Sequence, residues 1–338
     1  MLFRHLFALS LFSAFCGFVP AAAAQAASAA ADGQLQVQTW LVRIQEAAGK
    51  RNFQGTFVVS GGGAVSSARI AHFYVGSQQY ERIESLDGQA RHVFRHNDVV
   101  QTVWPGNRVA VIEHTLLPRA FPAVLQADDN RIAEFYELRP EKPGRVAGHE
   151  ADVLLVQPRD KLRFGYRLWS ERATGLLLRA DVLGEGDEVL ETSAFSEVTI
   201  GIKPQPDSVL QPMRRLDGFR VLRPQLQAVQ LEDEGWSLSK VVPGFRLVSG
   251  VKRPMGASGA EAEPQAHAVL QVIYSDGLTH VSIFIEPYNP QRHLREMRAS
   301  LGATQTLMRR SGDWWITLVG DVPPATLKKF AGALERRN

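Results

Sequence analysis

Ile273-Tyr274-Ser275-Asp276-Gly277-Leu278-Thr279-His280-Val281-Ser282-Ile283-Phe284-Ile285-Glu286-Pro287 is the stretch whose reading decides the fold. Asp276-Gly277 is the residue pair that supplies the positive backbone angles of a tight turn, so the stretch is two strands joined there. The second arm is apolar at Val281, Ile283 and Ile285, alternate positions that set one strand face against a core. No nucleophile, base or ligand cluster accompanies them. The hairpin therefore reads as a surface for packing or binding and not as a centre of chemistry.

The neighbouring sequence builds a small domain around this hairpin. A strand spans Val242–Val248, and a polar, Gly/Ala-rich insert follows from Pro254 to Gln265. Gln291 to Leu301 reads as a helix. Thr304–Arg310 and Trp314–Val319 form a second hairpin around Ser311-Gly312-Asp313. Pro324 opens a final helix whose Leu327, Phe330, Ala331 and Leu334 share one face. Upstream, Lys203-Pro204-Gln205-Pro206-Asp207 marks a boundary, and the irregular span 204–231 reads as an interdomain linker. The expected units are thus 33–203 and 232–338.

In the first unit, Val37, Leu41, Ile44 and Ala48 recur at helical spacing from Gln34 to Lys50, with Gly49 suited to the C-terminal cap. The period then changes to that of strands: Phe53–Val59, Arg69–Val75, Gln79–Leu86, Arg91–Arg95, Val99–Trp104 and Arg108–Glu113. Turn residues separate them, at Gly61-Gly62-Gly63 (a loose hairpin tip), Asp87-Gly88 and Pro105-Gly106-Asn107. Leu116–Asn130, with Pro118 and Pro122, reads as a loop with a short helical piece. Strands resume at Asp152–Gln157, Arg163–Trp169, Leu176–Leu183 and Val189–Ile200. One amphipathic helix and a run of tightly joined strands predict a strongly curved antiparallel sheet wrapped on that helix.

Met1–Ala24 reads as a secretory signal: Arg4 and His5, an apolar run from Leu6 to Val19, then Ala22-Ala23-Ala24. The run is shorter than the roughly 20 residues needed to span a bilayer. Cys16, the sole cysteine, lies inside it. A chain cleaved near Ala24 then has neither disulfides nor thiol catalysis. A formal net charge of +3 is too small to imply nucleic-acid binding. The chain carries 30 Arg and only 8 Lys, so bidentate carboxylate pairs are favoured wherever it makes ion pairs.

Catalytic and metal patterns are missing from the sequence. Gly256-Ala257-Ser258-Gly259 lacks the spacing of a hydrolase elbow, and Gly61-Gly62-Gly63 is followed by neither a helix nor a lysine. His92 and His96 are four apart on a strand, about 13 Å, too far to share one ion. His72 and His114 lie on other strands, and Asp128-Asp129 reads as a solvated turn. We expect no enzyme, no cofactor and no metal.

Binding features are the stronger signal. Trp236, Phe245, Tyr274 and Phe284 stand in the small domain as candidate anchors for a protein partner, although filling its core is the plainer role for any one of them. Arg163, Arg167 and Trp169 fall on one face of an expected strand, a basic-aromatic rim suited to a lipid with an acidic headgroup. An ordinary solvated face would look the same.

The hairpin, with Gly235-Trp236 and Val242-Pro243-Gly244-Phe245 before it, resembles the RseB/MucB family. So do Asn52–Val58, Gly144-Arg145-Val146-Ala147-Gly148, Thr174–Arg179 and Val319-Gly320-Asp321-Val322-Pro323, in the right order from about Trp40 to Leu334. The resemblance implies an α+β protein. Its first domain would be a half-open antiparallel β-barrel wrapped on a helix, like the periplasmic lipoprotein carriers, beside a smaller mixed α/β C-terminal domain. It implies a periplasmic protein that binds the periplasmic part of a membrane-anchored anti-sigma factor and shields it from the site-1 protease. Lipid (lipid A or another acyl-chain amphiphile) or a mislocalised lipoprotein would enter the first domain and release that block. A plain lipoprotein or lipid carrier is the alternative, and self-association into a homo-oligomer is left open.

Overall fold

The computed structural model describes residues 39–114, 132–254 and 268–337. The signal Met1–Ala24 with Cys16, the loop at Leu116–Asn130 and the insert after Pro254 lie outside the described residues. Helix α1 (residues 39–50) leads into strands β1 (Phe53–Gly61), β2 (Ala64–Val75), β3 (Gln78–Ser85), β4 (His92–His96), β5 (Val99–Trp104) and β6 (Val109–His114). After helix α2 (Ile132–Phe135) come β7 (Tyr136–Val146), β8 (His149–Pro158), β9 (Gly165–Glu171), β10 (Leu177–Leu183) and β11 (Val189–Ile200). Helix α3 (Asp207–Arg214) and β12 (Arg220–Leu222) follow.

These strands make one 12-stranded sheet, ordered β12-β6-β5-β4-β3-β2-β1-β11-β10-β9-β8-β7. Its end strands β12 and β7 do not pair, so the sheet is open. The α1 periodicity places Leu41 and Ile44 against Leu154, Val156, Leu168 and Ala180. Phe53, Phe57, Ile70 and Phe195 extend the core along β1 and its neighbours. Strand β7 carries Pro140 and Pro143, which broke its pattern in the sequence. An end strand tolerates them because one row of its N–H groups has no partner to lose.

The span expected as a linker is divided between the two sheets. Val209 of α3 is fully buried against Phe73, Phe94 and Val103, with Leu216 and Phe219 beside it. β12 pairs in parallel with β6. β13 (Gln227–Ala228) already pairs with the second sheet. Residues 223–226 alone pass from one sheet to the other.

The second sheet has seven strands, β13-β15-β16-β17-β20-β19-β18. Its members are β15 (Arg246–Pro254), β16 (Ala268–Ser275), β17 (His280–Pro287), β18 (Met297–Leu301), β19 (Thr304–Ser311) and β20 (Trp314–Gly320). Between β13 and β15, the short strand β14 (Trp236–Leu238) pairs instead with β21 (Leu334–Arg336), which follows α4 (Pro324–Ala333). Val281, Ile283 and Ile285 of β17 face Leu327, Phe330 and Ala331 of α4, as the alternation predicts. The helix expected over Gln291–Leu301 is not formed. Asn289 Oδ1 accepts from Gln291 N, and His293 Nδ1 accepts from Asn289 N, which ties residues 289–293 into a tight loop before β18 begins.

One feature of the first sheet is expensive to bury. Register aligns His72 with Glu81, and Glu81 with Arg95, so the three polar side chains form a row on one face, all buried. Glu81 lies 3.8 Å from Arg95. Burial pushes the Glu81 carboxyl up to about 7, and the Arg95 charge only partly opposes this. Burial likewise holds His72 below its ordinary value, although its contact with the Arg51 carbonyl acts the other way. A carboxyl raised on folding binds protons more tightly in the native state, so its contribution is greatest in acid and is lost as pH rises through about 7. The stability difference between wild type and Glu81→Gln should therefore shrink, to the disadvantage of wild type, between about pH 4.5 and 7. Urea unfolding of both proteins across that range measures it.

Candidate functional site at the junction of the two sheets

The residues that gave the hairpin its distinct sequence meet the first sheet. The β16–β17 connection is the four-residue turn Asp276–Thr279, longer than the two-residue turn expected at Asp276-Gly277. Asp276 Oδ1 accepts from the N–H groups of Leu278 and Thr279, which fixes the turn. Gly277 supplies the positive φ of 100°. The other oxygen, Oδ2, points across the junction. It accepts from Arg163 Nε at 2.8 Å and from the Tyr136 hydroxyl at 2.8 Å. Burial raises the Tyr136 hydroxyl well above its ordinary value, and the Asp276 charge adds to that, so the phenol stays a donor.

Arg163 is occupied on every nitrogen: Nε by Asp276, Nη1 by Asp160 and Nη2 by the Pro243 carbonyl. Its guanidinium lies 4.5 Å from the Phe135 ring and 5.2 Å from that of Phe245, between an aromatic from each side. Gly244, at φ 85°, is required there, because a Cβ would overlap the guanidinium. The motif Val242-Pro243-Gly244-Phe245 is thus the second half of an arginine clamp.

Apolar side chains are exchanged around that clamp. Leu278, from the second sheet's turn, packs into the cluster of Leu41, Ile44, Tyr136 and Tyr166. Leu162, from the first sheet's side, packs into the cluster of Phe245, Tyr274 and Phe330. Its carbonyl accepts from the buried Thr326 hydroxyl at 2.8 Å. Burial of each leucine is worth about 1.5–3 kcal/mol. Two outlying contacts widen the junction. Arg253 of β15 pairs with Glu113 of β6 at 3.0 Å. Gly62, at the tip expected to be loose, lies so close to Leu301-Gly302 that a side chain there would collide with the Gly302 backbone.

This geometry relocates several expected site residues. Trp236, Phe245 and Tyr274 are buried in the second core and present no anchor to a partner; Phe245 packs edge-on against Phe330. Phe284 alone of the four is half-exposed, on the sheet face opposite α4. Arg163 is not on a strand face with Arg167, since β9 starts at Gly165, and it is only 2% exposed. It cannot serve as an exposed headgroup ligand. Arg167 and Trp169 do share a face of β9. Arg167 Nε donates to Glu141 at 2.8 Å, and Trp169 carries the Arg179 guanidinium over its ring at 4.5 Å. No cluster of metal-ligating side chains occurs among the described residues. His96 stacks on Tyr80, and His92 lies 3.8 Å from Glu84. Sequence reasoning missed Asp276 as an ionic anchor because a turn-forming aspartate and a junction carboxylate look alike until the arginine is located.

Fold and junction together define a two-sheet protein whose halves are keyed by one buried ion pair. Its sequence matches the MucB/RseB N-terminal domain over residues 36–213 and the MucB/RseB C-terminal domain over residues 230–335, so the chain belongs to the MucB/RseB family. It is 31% identical to the sigma factor AlgU regulatory protein MucB of Pseudomonas aeruginosa over 86% of this chain and 88% of that protein. It is 25% identical to the sigma-E factor regulatory protein RseB of Salmonella typhimurium over 98% of both. Among solved structures it is similar to MucB in complex with MucA(peri), at 28% identity and a TM-score of 0.64, over 89% of this chain and 99% of that one. It is also similar to MucB in the Pseudomonas aeruginosa MucA/MucB complex, at 29% identity and a TM-score of 0.66, over 89% and 98%.

Arg163→Met leaves Asp276 buried without its counter-ion, and should cost about 3–5 kcal/mol in urea unfolding; Tyr136→Phe should cost less. Phe245→Ala should cost about 3–5 kcal/mol as a core truncation. Unchanged stability in Phe245→Ala would return that ring to the surface role expected from sequence.

Proposed function

We propose that this protein is a periplasmic regulator that binds the periplasmic part of a membrane-anchored anti-sigma factor and protects it from site-1 proteolysis. The observation that carries this reading is similarity along both sheets to MucB, which has been solved with MucA(peri). No helix among the described residues is long and apolar enough to cross a membrane, which suits a partner that supplies the anchor. The first unit runs to Leu222 and the second begins at Gln227, with α3 and β12 belonging to the first.

The open first sheet, packed on α1, is read as the half-open barrel of the lipoprotein-carrier type, able to take an acyl chain at roughly 0.8 kcal/mol per buried methylene. Arg167 and Trp169 remain candidates for the headgroup end. A plain lipid carrier is the weaker reading, because it gives no role to a second sheet keyed into the first through Arg163 and Asp276.

Titration calorimetry of the mature protein with the periplasmic segment of its own anti-sigma factor should give a Kd of about 1 μM or tighter, and the complex should resist the initiating protease. Absence of binding at about 100 μM would remove the regulator reading. A fluorescent fatty acid and a lipid A analogue should each bind the protein and weaken the protein complex. If neither binds below about 1 mM, the lipid part fails while the partner part stands.

A further inference from the structure

The second sheet ends in an edge that is unusually bare. Nothing among the described residues pairs with the outer side of β18, and all five of its residues are exposed. Protein edges are commonly blunted by proline, bulges or charge. Met297-Arg298-Ala299-Ser300-Leu301 has no proline and a regular register with β19, and Arg298 is its one charge.

Each face of the edge borders a groove of distinct chemistry. Register places Met297, Met308, Thr317 and Phe284 on one face. That side opens into a groove of about 490 Å³ whose rim includes Leu294, 81% exposed. Its floor is fixed by Trp315, on which His293 stacks at 4.8 Å. Arg298 points to the other face, beside Leu307 and toward α4. There a groove of about 640 Å³ is bordered by Arg298, Arg309 and Lys328, three cations against the single carboxylate of Glu296.

Positive charge is concentrated in the last part of the chain. Residues 291–338 carry nine Lys/Arg against four Asp/Glu, a net +5 in a chain of net +3. Arg295, Arg298, Lys328 and Lys329 form no ion pair among the described residues. A strand laid along β18 would send alternate side chains to opposite faces. One set would meet the apolar groove, the other the basic one.

We propose that β18 is a docking edge for an extended peptide strand with alternating apolar and acidic residues, added to the second sheet by backbone pairing along Met297–Ser300. The strand stops at Leu301, where the edge abuts Gly62 of the first sheet. The inference rests on the regulator reading, and the peptide is a segment of the anti-sigma factor's periplasmic part. Charge complementarity selects an acidic peptide, and the length of free edge limits the pairing to a short segment.

The test uses the full mature chain and the same periplasmic segment. Arg298→Glu with Lys328→Glu, and separately Met297→Asp, alter exposed side chains. Each should raise Kd about tenfold or more while leaving the melting temperature unchanged. Changing the segment's acidic residues to lysine should restore binding to the double charge-reversal protein. In the wild type, hydrogen exchange should slow at alternate amides within Met297–Ser300 on binding. Wild-type affinity in both variants overturns the docking edge and leaves the regulator reading intact. Weakened variants without amide protection overturn strand addition. A wild-type chain that does not bind the segment overturns the regulator reading and this one with it.

Discussion

The ion pair of Arg163 and Asp276 constrains the rest of the structure. Both side chains are fully buried, and two charges taken out of water cost several kcal/mol each unless geometry returns it. Here both charges are closely partnered. Asp276 accepts two backbone and two side-chain hydrogen bonds, and Arg163 spends every nitrogen. A pair this specific tolerates one relative placement of its elements. The turn after β16, the Pro243-Gly244 bend and the segment before β9 must therefore arrive together. Gly244 has no side chain because the guanidinium occupies that space, and Phe135 and Phe245 close over it from opposite sides. Hydrophobic burial supplies most of the free energy at such a junction, through Leu162 and Leu278. The ion pair sets the geometry in which that burial occurs.

This changes the meaning of the sequence motifs that mark the second domain. Asp276-Gly277-Leu278 and Pro243-Gly244-Phe245 look like surface turns, rich in small and turn-forming residues. Both are turns, and their Asp276, Leu278 and Phe245 side chains are buried at the contact between the two sheets. Their aromatic neighbours Trp236 and Tyr274 fill the second sheet's own core against α4 and β20. At the far side of the second sheet, Leu294 and Met297 are exposed, Phe284 is half-exposed, and Arg295 and Arg298 form no ion pair among the described residues. The distinctive motifs therefore mark the junction between the sheets and not the exposed edge proposed for docking.

Most strands were legible because a half-buried strand writes its alternation into the chain. β5, β10 and β11 fall within a residue of their expected limits. Helices α1 and α4 were legible from apolar spacing. The failures have physical causes. β7 holds two prolines that only an end strand accepts, and the end position is a property of the whole sheet. β18 lost its strand signal because an exposed edge has no buried face to alternate, so Arg295, Glu296 and Arg298 read as a solvated helix. The span 204–231 looked like a linker because its prolines hid one short amphipathic helix, yet Val209 is completely buried. At the site, residue types were visible and pairings were not. Arg163 and Asp276 are 113 positions apart, and nothing local says that one finds the other.

The exchange of leucines bears on how the two halves of a regulator communicate. Leu278 shares one apolar cluster with Leu41 and Ile44 of α1, so the second sheet's turn and the first sheet's helix fill the same volume. An acyl chain bound against that face of α1 would compete with Leu278 for it. Leu278 is two residues from Asp276, and its own N–H donates to the carboxylate that Arg163 holds. Displacing the leucine while keeping the ion pair would strain a four-residue turn; displacing both would leave the sheets held by Leu162, the Arg253–Glu113 pair and the Gly62 contact. Either way the free energy of ligand binding and that of the junction are linked, and linkage is reciprocal: a partner that stabilises the closed junction must weaken the ligand by the same factor. No rigid relay between distant sites is required, because the two events draw on one buried cluster.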